Sequence, residues 1–514
     1  MEEKNTPKQN INRLNTLRCA TLNGIDAQMI SVEATFTKGL PAFSVVGLAS
    51  SDIQEAKDRV KSALLTNNFS FPPLKITVNL SPSDIKKSGS HFDLSLALLI
   101  ALNKESIKDD NLYVFGELGL DGRVKSSSMI FPIILSLKEQ GIIKKAIVPK
   151  ESIDYLSFIS GVDFIAVESL SEAIEIIKTE NFKANKRRFT YNSKSLEIDG
   201  INYYYQDSFP LDFLDVKGQN IAKRASLVAS AGMHNFMMEG NPGCGKSMIA
   251  KRLPYILPPL KEEEILAIAK HQFLDGTTPD FKAIRPIRTP HHSATTASIF
   301  GGGSSRARIG EVALANYGIL FFDELPHFSK NILEALREPL QDKRVNISRV
   351  NAKIEYSADI MFVSAQNPCP CGNLLSKKRE CRCSDIEIKR YKNRLSDPFL
   401  DRIDIFVVMQ EVSYSDTSSL SSSQMYNLVL DAFKRQKERK QPTLNGKLEE
   451  SQIEQFCILT QEATTILNRA IDNFSLSHRS INSIKKVART IADINQNQDI
   501  TKKDILEALS YRKR

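Results

Sequence analysis

Residues 240–247, GNPGCGKS, constrain the fold of this chain more than any other stretch. They match the pattern G-x-x-x-x-G-K-[ST] and lie between HNFMMEG, which is typical of a buried strand, and MIAKRL, which is typical of a helix. The glycines allow backbone N–H groups to curl around phosphates, and the first turn of the helix adds partial positive charge. The stretch therefore predicts a strand, a phosphate-binding loop and a helix, in that order.

Every residue of this loop is a candidate ligand of a nucleotide. Lys246 has the length and charge to reach the β- and γ-phosphates of ATP, and the Ser247 hydroxyl is suited to hold Mg²⁺. A glycine-rich turn without a ligand is the alternative, and the strand and helix on either side argue against it. The candidate ATP- and Mg²⁺-binding residues of the loop are Gly240, Asn241, Pro242, Gly243, Cys244, Gly245, Lys246 and Ser247.

A second strand is expected within GILFFDELPHF at 318–328, and it ends in two carboxylates. Four successive apolar residues, 319–322, indicate a buried strand of a parallel sheet. Ligands bind beyond the carboxyl ends of such strands. We therefore expect Asp323 to hold Mg²⁺ through water and Glu324 to polarise the water that attacks the γ-phosphate.

A third strand, expected within ADIMFVSAQNP at 358–368, ends in the amides Gln366 and Asn367. An amide at this end of the sheet can orient the same water. The alternative for Asn367 is a turn-forming residue before proline.

Arginines farther along the chain are candidates for contacting the γ-phosphate. Within NRLSDPFLDRIDIF, Arg402 is the first candidate for an arginine finger that reaches a neighbouring subunit's nucleotide, and Arg394 is the second. The alternative for both is an ordinary surface position. Arg479, at the start of a strongly periodic helix, is a candidate for closing over the nucleotide from a lid.

Four of the seven cysteines fall within NPCPCGNLLSKKRECRC, residues 367–383. Four thiolates can form a closed zinc site, and such a site would stiffen a loop that is too polar to pack by itself. Cys-x-Cys is a tighter spacing than the usual Cys-x₂-Cys, so reduced structural thiols and a redox switch stay open as alternatives. The candidate zinc ligands are Cys369, Cys371, Cys381 and Cys383.

Composition places the chain among ordinary globular proteins, with 41% hydrophobic and 25% charged residues. The formal charge of +9 fits a nucleic-acid partner, and a solvated basic surface is an equal alternative. The polar amino terminus lacks the apolar core of a signal peptide, and the densest apolar run, residues 94–102, is too short to span a bilayer. We therefore expect a cytoplasmic protein with reduced cysteines and no membrane segment.

The 514 residues are too many for one hydrophobic core, and the succession of strand-like, helix-like and irregular runs divides them into domains. Strand-like and helix-like runs alternate in residues 12–180, which predicts an α/β domain. Residues 181–211 show no sustained periodicity and are interpreted as a linker. A second α/β block covers 212–411, a Ser-rich break follows it, and residues 424–514 are predicted to be helical.

The order of these parts resembles an AAA+ ATPase, and more closely the Mg-chelatase-like family of such ATPases, which includes bacterial competence proteins. The resemblance covers nearly the whole chain. Its most specific blocks are FPPLKITVNLSPSDIKKSGSHFDL, IRTPHHSATTASIFGGG, GEVALANYGILFFDELPHF, LREPLQDKRVNISR and NPCPCG. It implies an AAA+ P-loop core at 212–411, a helical lid at 424–514 and, at 12–180, a domain similar to the Lon protease (ribosomal S5 domain 2-like).

The resemblance also implies a function. Its members form hexameric rings with ATP between subunits, and it implies a motor that moves branched or single-stranded DNA, as a branch-migration or translocating helicase in recombination or natural transformation. The alternative is a chelatase-like remodelling ATPase that acts on protein partners. The hairpin LQDKRVNISR would face the pore of the ring, where Lys343, Arg344 and Arg349 would meet phosphates. The alternative there is a solvated basic hairpin. The resemblance also places an inserted loop, RPIRTPHHSATTASIFGGG, toward the pore, and its His291 and His292 are interpreted as locally hydrogen-bonded residues.

An ATP-dependent protease is the third possibility for such a chain, and the Lon-like domain argues against it. KSGSHFD places His91 where such proteases have the catalytic serine, and the lysine position falls on or near Phe131. Ser90 and Lys125 lie nearby in the sequence. Since peptide hydrolysis needs a nucleophile bonded to a base, we interpret this domain as non-proteolytic.

Overall fold

A computed structural model describes residues 15–105, 107, 111–185, 191–302, 308–348, 353–413 and 416–512. The chain divides into two compact units. The first unit draws on Met1–Thr190 with Gln272–Pro279, and the second on Tyr191–His271 with Asp280–Arg514. Both units combine sheets with helices, so the mixed α/β multidomain fold predicted from the sequence is confirmed.

Short strands and helices alternate along most of the chain. The strands are β1 Thr16–Asn23, β2 Asp26–Thr37, β3 Ala42–Val46, β4 Lys75–Ser81, β5 Tyr113–Val114, β6 Glu117–Leu118, β7 Val124–Lys125, β8 Lys145–Pro149, β9 Asp163–Val167, β10 Lys194–Ile198, β11 Ile201–Tyr205, β12 Phe236–Gly240, β13 Leu260–Lys261, β14 Ile287–Arg288, β15 Gly301–Gly302, β16 Arg308–Ile309, β17 Ile319–Phe322, β18 Arg344–Ser348, β19 Lys353–Ser357, β20 Met361–Gln366 and β21 Ile405–Met409. The α-helices are α1 Ser51–Thr66, α2 Asp93–Ala101, α3 Ile130–Glu139, α4 Ile153–Leu156, α5 Leu170–Thr179, α6 Asn220–Gly232, α7 Lys246–Arg252, α8 Glu262–Leu274, α9 Thr296–Phe300, α10 Glu311–Leu314, α11 Lys330–Ala335, α12 Arg337–Asp342, α13 Asp385–Lys392, α14 Asp397–Leu400, α15 Ser422–Glu438, α16 Glu450–Phe456, α17 Gln461–Phe474, α18 His478–Ile494 and α19 Lys502–Ser510.

A seven-stranded sheet, in the order β3-β4-β2-β1-β5-β8-β9, forms the centre of the first unit. The sequence predicts its strands β4 and β8 from KITVNL and KAIVPK. The third predicted strand, NLYVFGEL, divides into β5 and β6, because the chain leaves the sheet at Gly116 and exchanges backbone hydrogen bonds with His91 and Leu94. Helices α2 and α3 carry almost entirely buried side chains, as their apolar runs predict.

A five-stranded parallel sheet, in the order β14-β17-β20-β12-β21, forms the centre of the second unit. Its inner strands β12, β17 and β20 are buried along their whole length, as expected for a parallel sheet with covered faces. Because the strands run parallel, the loop after β12, the carboxylates after β17 and the amide after β20 all emerge at one edge. This edge is the frame of the candidate site.

Residues 181–211, interpreted as a linker, contain the hairpin β10–β11, which β13 extends to three strands. Its turn is Asp199-Gly200, with φ of 50° and 75°, a dipeptide typical of two-residue hairpin turns. Three successive tyrosines of β11 pack onto aromatic neighbours: Tyr203 on Phe433, Tyr204 on Tyr191 and Tyr205 on Tyr426. This aromatic packing, which periodicity in the sequence does not reveal, stabilises the hairpin, and the second unit begins at Tyr191.

Helices α15–α19 occupy residues 422–510, where the sequence predicts helices. Their apolar faces join the core of the second unit, and α15 and α18 pack against α6. A buried ionic network ties them together: Asp493 accepts hydrogen bonds from Arg439, Arg489 and Asn445. Arg439 contacts both carboxylate oxygens, at 2.5 and 2.8 Å.

No helix in the described ranges combines the length and the apolar character that crossing a membrane requires.

The network around Asp493 generates a prediction about stability. Asp493→Asn removes the negative charge that pairs with both Arg439 and Arg489. Because the Arg489 side chain is only 1% exposed, its charge would be left buried without a partner of opposite sign. We therefore expect the free energy of unfolding to fall by about 3–5 kcal/mol. Asp431→Asn is the control, because the Asp431–Lys434 pair is half exposed and should contribute less than about 1 kcal/mol. Urea denaturation followed by circular dichroism measures both. Equal losses in the two variants would contradict the role given to the buried network.

Candidate active site

The loop 240–247 connects β12 to α7 with the geometry that phosphate binding requires. Gly243 and Gly245 have φ of 80° and 97°, in the left-handed region that favours glycine, and Gly245 caps the start of α7. A β-carbon on Gly240 would fall 2.7 Å from the Cys244 sulfur, so the loop also needs glycine at its first position. Backbone N–H groups at the start of α7 therefore face an open concave loop.

Lys246 is buried inside this loop. Its Nζ donates hydrogen bonds to the carbonyl oxygens of Gly240 at 2.6 Å and Asn241 at 3.0 Å, and to Oδ1 of Asn367 at 3.1 Å. Burial lowers the pKa of the ammonium, and the nearby Cys244 and Asp323 partly oppose this. The structure thus brings together the lysine of the glycine-rich loop and the amide that the sequence placed at the end of a different strand.

Ser247 and Asp323 face each other across the same edge. The Ser247 hydroxyl donates to Oδ2 of Asp323 at 2.8 Å, and the backbone N–H of Glu324 donates to Oδ1 at 3.0 Å. Hydroxyl and carboxylate oxygens are ligands that Mg²⁺ prefers. These two oxygens fit a Mg²⁺ ion, which would neutralise phosphate charge in the reaction.

Glu324 projects from a strained backbone position beside a group of histidines. Its φ is 52°, an uncommon value for a residue other than glycine, and its side chain is half exposed. Nδ1 of His292 lies 3.9 Å from its carboxylate, and the His292 ring is 4.1 Å from that of His291 and 6.0 Å from that of His327. The sequence interpretation assigned no role to these histidines beyond local bonds. His291 does bond to Ser293 at 2.7 Å, whereas the approach of His292 to Glu324 depends on tertiary folding.

Arg402 and Arg479 both contact the side chain of Gln341. Nη2 of Arg402 and of Arg479 lie 2.8 and 2.9 Å from Oε1 of Gln341. Both line a cleft of about 790 Å³, and no hydrogen bond in the described ranges joins either to residues 240–247. Burial lowers the pKa of Arg402, as do the charges of Arg479 and Arg337.

Arg394 occupies a different place from Arg402. Its Nη1 donates to the carbonyl of Pro326 at 2.9 Å, just after Glu324 in the chain. It therefore lies against the segment that carries the acidic residues of its own copy.

The three predicted DNA-contacting residues have unequal surroundings. Lys343 donates to the carbonyl of Lys447 at 3.0 Å, and Arg344, half exposed on β18, lies 3.4 Å from Glu355 on β19. Arg349 lies outside the described residues. Arg344 is the more exposed of the two described cations, with its charge partly offset by Glu355, and Lys343 is partly exposed.

The four cysteines of 369–383 come together in space. Their sulfur atoms all lie within 4.8 Å of one another, and they form the one group of at least three cysteine, histidine or acidic side chains with metal-ligand spacing in the ranges covered by the structure. Cys369 is buried at the end of β20 and the other three are exposed in part. The loop that carries them returns to α13.

The first unit places the protease-like positions apart. His91 is buried, with Nε2 2.9 Å from the carbonyl of Ala20, and the Ser90 hydroxyl donates to the carboxylate of Glu117. No hydrogen bond links Ser90 to Lys125 within the described part of this unit. Phe131 is fully buried in α3.

Known families match three successive parts of the chain. Residues 32–152 match the family described as subunit ChlI of Mg-chelatase, residues 212–417 match magnesium chelatase, subunit ChlI, and residues 419–512 match its C-terminal part. Full-length relatives extend the likeness. The competence protein ComM of Haemophilus influenzae is 34% identical over 499 residues, which cover 95% of each chain.

The uncharacterized protein YifB of Escherichia coli K12 is 35% identical over 499 residues, again 95% of each chain. The chain belongs to the Mg-chelatase-like ComM/YifB family. An uncharacterized protein of Mycobacterium bovis is 33% identical over 504 residues, 96% of this chain and 97% of that one. Membership of this family indicates an AAA+ ATPase that uses ATP and Mg²⁺.

The contact between Ser247 and Asp323 generates a prediction about metal-dependent binding. Ser247→Ala removes one polar ligand of a charged group, and such contacts contribute roughly 1.5–3 kcal/mol, so we expect a fluorescent ATP analogue to bind about tenfold more weakly with Mg²⁺. With EDTA in place of Mg²⁺, binding should match the unchanged protein. Ser510→Ala, at an exposed serine, is the control. The same loss with and without Mg²⁺ would show that Ser247 does not act through the metal.

Proposed function

We propose that this protein is an ATP-hydrolysing ring motor that acts on DNA. The observation that carries the proposal is the convergence of Lys246, Ser247, Asp323 and Asn367 at one edge of a parallel sheet. Hydrogen bonds join them in two pairs, Lys246 with Asn367 and Ser247 with Asp323, and a cation, a hydroxyl, a carboxylate and an amide are the groups that phosphoryl transfer needs. Nothing else in the described units gathers these groups around a glycine-rich helix start.

Each residue of the site has a separate role in ATP hydrolysis. The loop N–H groups and Lys246 bind the β- and γ-phosphates, so that the ammonium exchanges its carbonyl partners for phosphate oxygens. Ser247 and Asp323 would hold Mg²⁺. Glu324 accepts a proton from the water that attacks the γ-phosphorus, and the bond to the bridging oxygen of ADP breaks. Asn367 orients that water, and because its Oδ1 contacts Lys246 it also senses whether a phosphate is present.

The arginine cluster supports an assembly of several copies, which we take to be a hexamer. Arg402 and Arg479 share Gln341 in a cleft that also carries Asp342 and Asp401, and the repulsion between the two guanidiniums favours an anion that contacts both. Since neither reaches the phosphate loop of its own copy, the γ-phosphate of a neighbouring copy is the anion we assign to them. Arg402 then acts as the arginine finger and Arg479 as a second contact, while Arg394 stays with its own copy.

DNA is the substrate that the chain's charge and one relative's name favour. The formal charge is +9, and a relative of the same length is named as a competence protein. We assign Lys343, Arg344 and Arg349 to DNA phosphates at the pore of the ring. A chelatase-type role with protein partners, which the ChlI family names favour, is the second candidate.

The domain division proposed from the sequence agrees with this function. We assign residues 12–180 to a Lon-like, non-proteolytic domain, 181–211 to a connecting segment, 212–411 to the AAA+ core and 424–514 to a helical lid. Ser90 donates to the carboxylate of Glu117 and not to Lys125, so the serine–lysine pair of such proteases is not formed, and this supports the assignment as non-proteolytic. The packing of α15 and α18 on α6 supports a lid attached to the core.

Substitution at Glu324 tests the proposal. In Glu324→Gln the amide cannot accept the proton, so we expect phosphate release to fall about 10²- to 10⁴-fold while ATP-analogue binding is kept. Lys246→Ala is the matched comparison and should lose binding as well as hydrolysis. The measurement is phosphate release by the full chain with forked DNA, with single-stranded DNA and without DNA.

We expect forked DNA to raise the rate in the unchanged protein, and strand movement to require ATP. A rate that no DNA raises, together with no strand movement, would reject the DNA motor and favour protein partners. Undiminished hydrolysis in Glu324→Gln would reject the assigned site altogether.

A further inference from the structure

The sulfur atoms of the four-cysteine cluster have the spacing of metal ligands. Cys369 and Cys371 are separated by 3.5 Å, Cys369 and Cys381 by 3.7 Å, and Cys371 and Cys381 by 3.6 Å. A zinc ion with four sulfurs at 2.3 Å in a tetrahedron places those sulfurs about 3.8 Å apart. A disulfide needs about 2.05 Å between sulfurs. These three distances fit a zinc ion, and the Cys383 sulfur, which lies within 4.8 Å of the other three, is placed to be the fourth ligand.

The surroundings of these sulfurs do not explain the cluster as ordinary packing. Three of the four cysteines are exposed in part, and residues 370–384, all of them described, contain neither helix nor strand. Four thiolates around Zn²⁺ carry a net charge of about −2. The same loop supplies compensating cations at Lys377, Lys378, Arg379 and Arg382.

We propose that Cys369, Cys371, Cys381 and Cys383 bind one structural zinc ion, and that the loop closed by this ion holds the phosphate loop in its nucleotide-binding shape. The second half rests on the proposed function of residues 240–247. Three links connect the four-cysteine loop to the phosphate loop.

The first link is a backbone contact. Gly372, between Cys371 and the rest of the loop, is buried with a φ of 79°. A β-carbon on it would fall 2.7 Å from Cδ and Cγ of Pro242. The backbone of the four-cysteine loop thus lies directly against the ring of Pro242, the third residue of the phosphate loop.

The second link passes through Glu411, just after β21. One oxygen of this carboxylate accepts hydrogen bonds from the Ser376 hydroxyl in the four-cysteine loop and from Nδ2 of Asn241, the latter at 3.1 Å. The Ser376 bond lowers the pKa of Glu411, and the Asn241 bond adds to this. The carboxylate of Glu411 therefore connects the four-cysteine loop to the phosphate loop.

The third link is covalent and short. Asn367, whose Oδ1 accepts from Lys246, is separated from Cys369 by one proline. Fixing Cys369 fixes the backbone from which Asn367 projects. Loss of the metal would weaken the contacts that the four-cysteine loop makes with Pro242, with Asn241 through Glu411, and with Lys246 through Asn367. ATP affinity should therefore fall although the residues that bind ATP are unchanged.

Metal analysis tests the first half. The full chain, purified without chelator, should contain about one zinc per chain. Cys371→Ala should contain much less, whereas the control Cys19→Ala, a buried cysteine in the other unit, should match the unchanged protein. Zinc below about a tenth of an equivalent in the unchanged protein would overturn the metal site, since structural sites of this kind bind tightly.

A variant that keeps all four ligands tests the second half. Gly372→Ala adds a methyl group against Pro242, and Gly141→Ala is the matched control, with a φ of 71° but open space around it. We expect both to keep zinc and circular dichroism, and only Gly372→Ala to bind the ATP analogue about tenfold more weakly. Equal affinity in the two variants, or in zinc-loaded and zinc-depleted protein, would overturn the coupling.

The two proposals fail separately. If the protein contains zinc but binds no nucleotide, the metal site stands and the function proposed for residues 240–247 is rejected. If the protein binds nucleotide but contains no zinc, the metal site is rejected and the proposed function stands.

Discussion

The candidate nucleotide site is built around the ammonium of Lys246. This group lies inside its own loop, held by the carbonyls of Gly240 and Asn241, and it donates to Asn367, which follows β20 more than a hundred residues away. A buried charge of this kind requires polar partners. The loop carbonyls and the amide after β20 supply them, and they do so because the loop and β20 end at the same edge of the parallel sheet.

The sequence predicted the parts of this site that depend on local patterns. The glycine-rich loop and the apolar runs before Asp323 and Asn367 indicate parallel strands, and parallel strands place their ends at one edge. The sequence did not reveal Glu411 as a link to Asn241, because that contact depends on β21 lying beside β12. The convergence of Arg402 and Arg479 on Gln341 likewise needs three distant segments to meet. The hairpin β10–β11 was missed because its signal is one Asp-Gly turn and side-chain packing rather than periodicity.

The four-cysteine loop and the arginine cleft give the site two kinds of dependence. The loop contacts the phosphate loop of the same copy through Gly372 and Ser376. The cleft holds Arg402 and Arg479, which form no hydrogen bond to residues 240–247 in the described ranges. In the proposed ring, the four-cysteine loop would act on ATP binding by a single chain, and the cleft would act on hydrolysis at a neighbouring chain.

We propose that two copies of this chain complete one ATP site. Phosphate release from mixtures of two inactive variants, Lys246→Ala and Arg402→Ala, over a range of ratios tests this. Each mixture contains interfaces in which an intact phosphate loop faces an intact arginine. If two copies share the site, activity reappears on mixing and is greatest near equal amounts, whereas mixtures that stay as inactive as the separate variants would show that they do not.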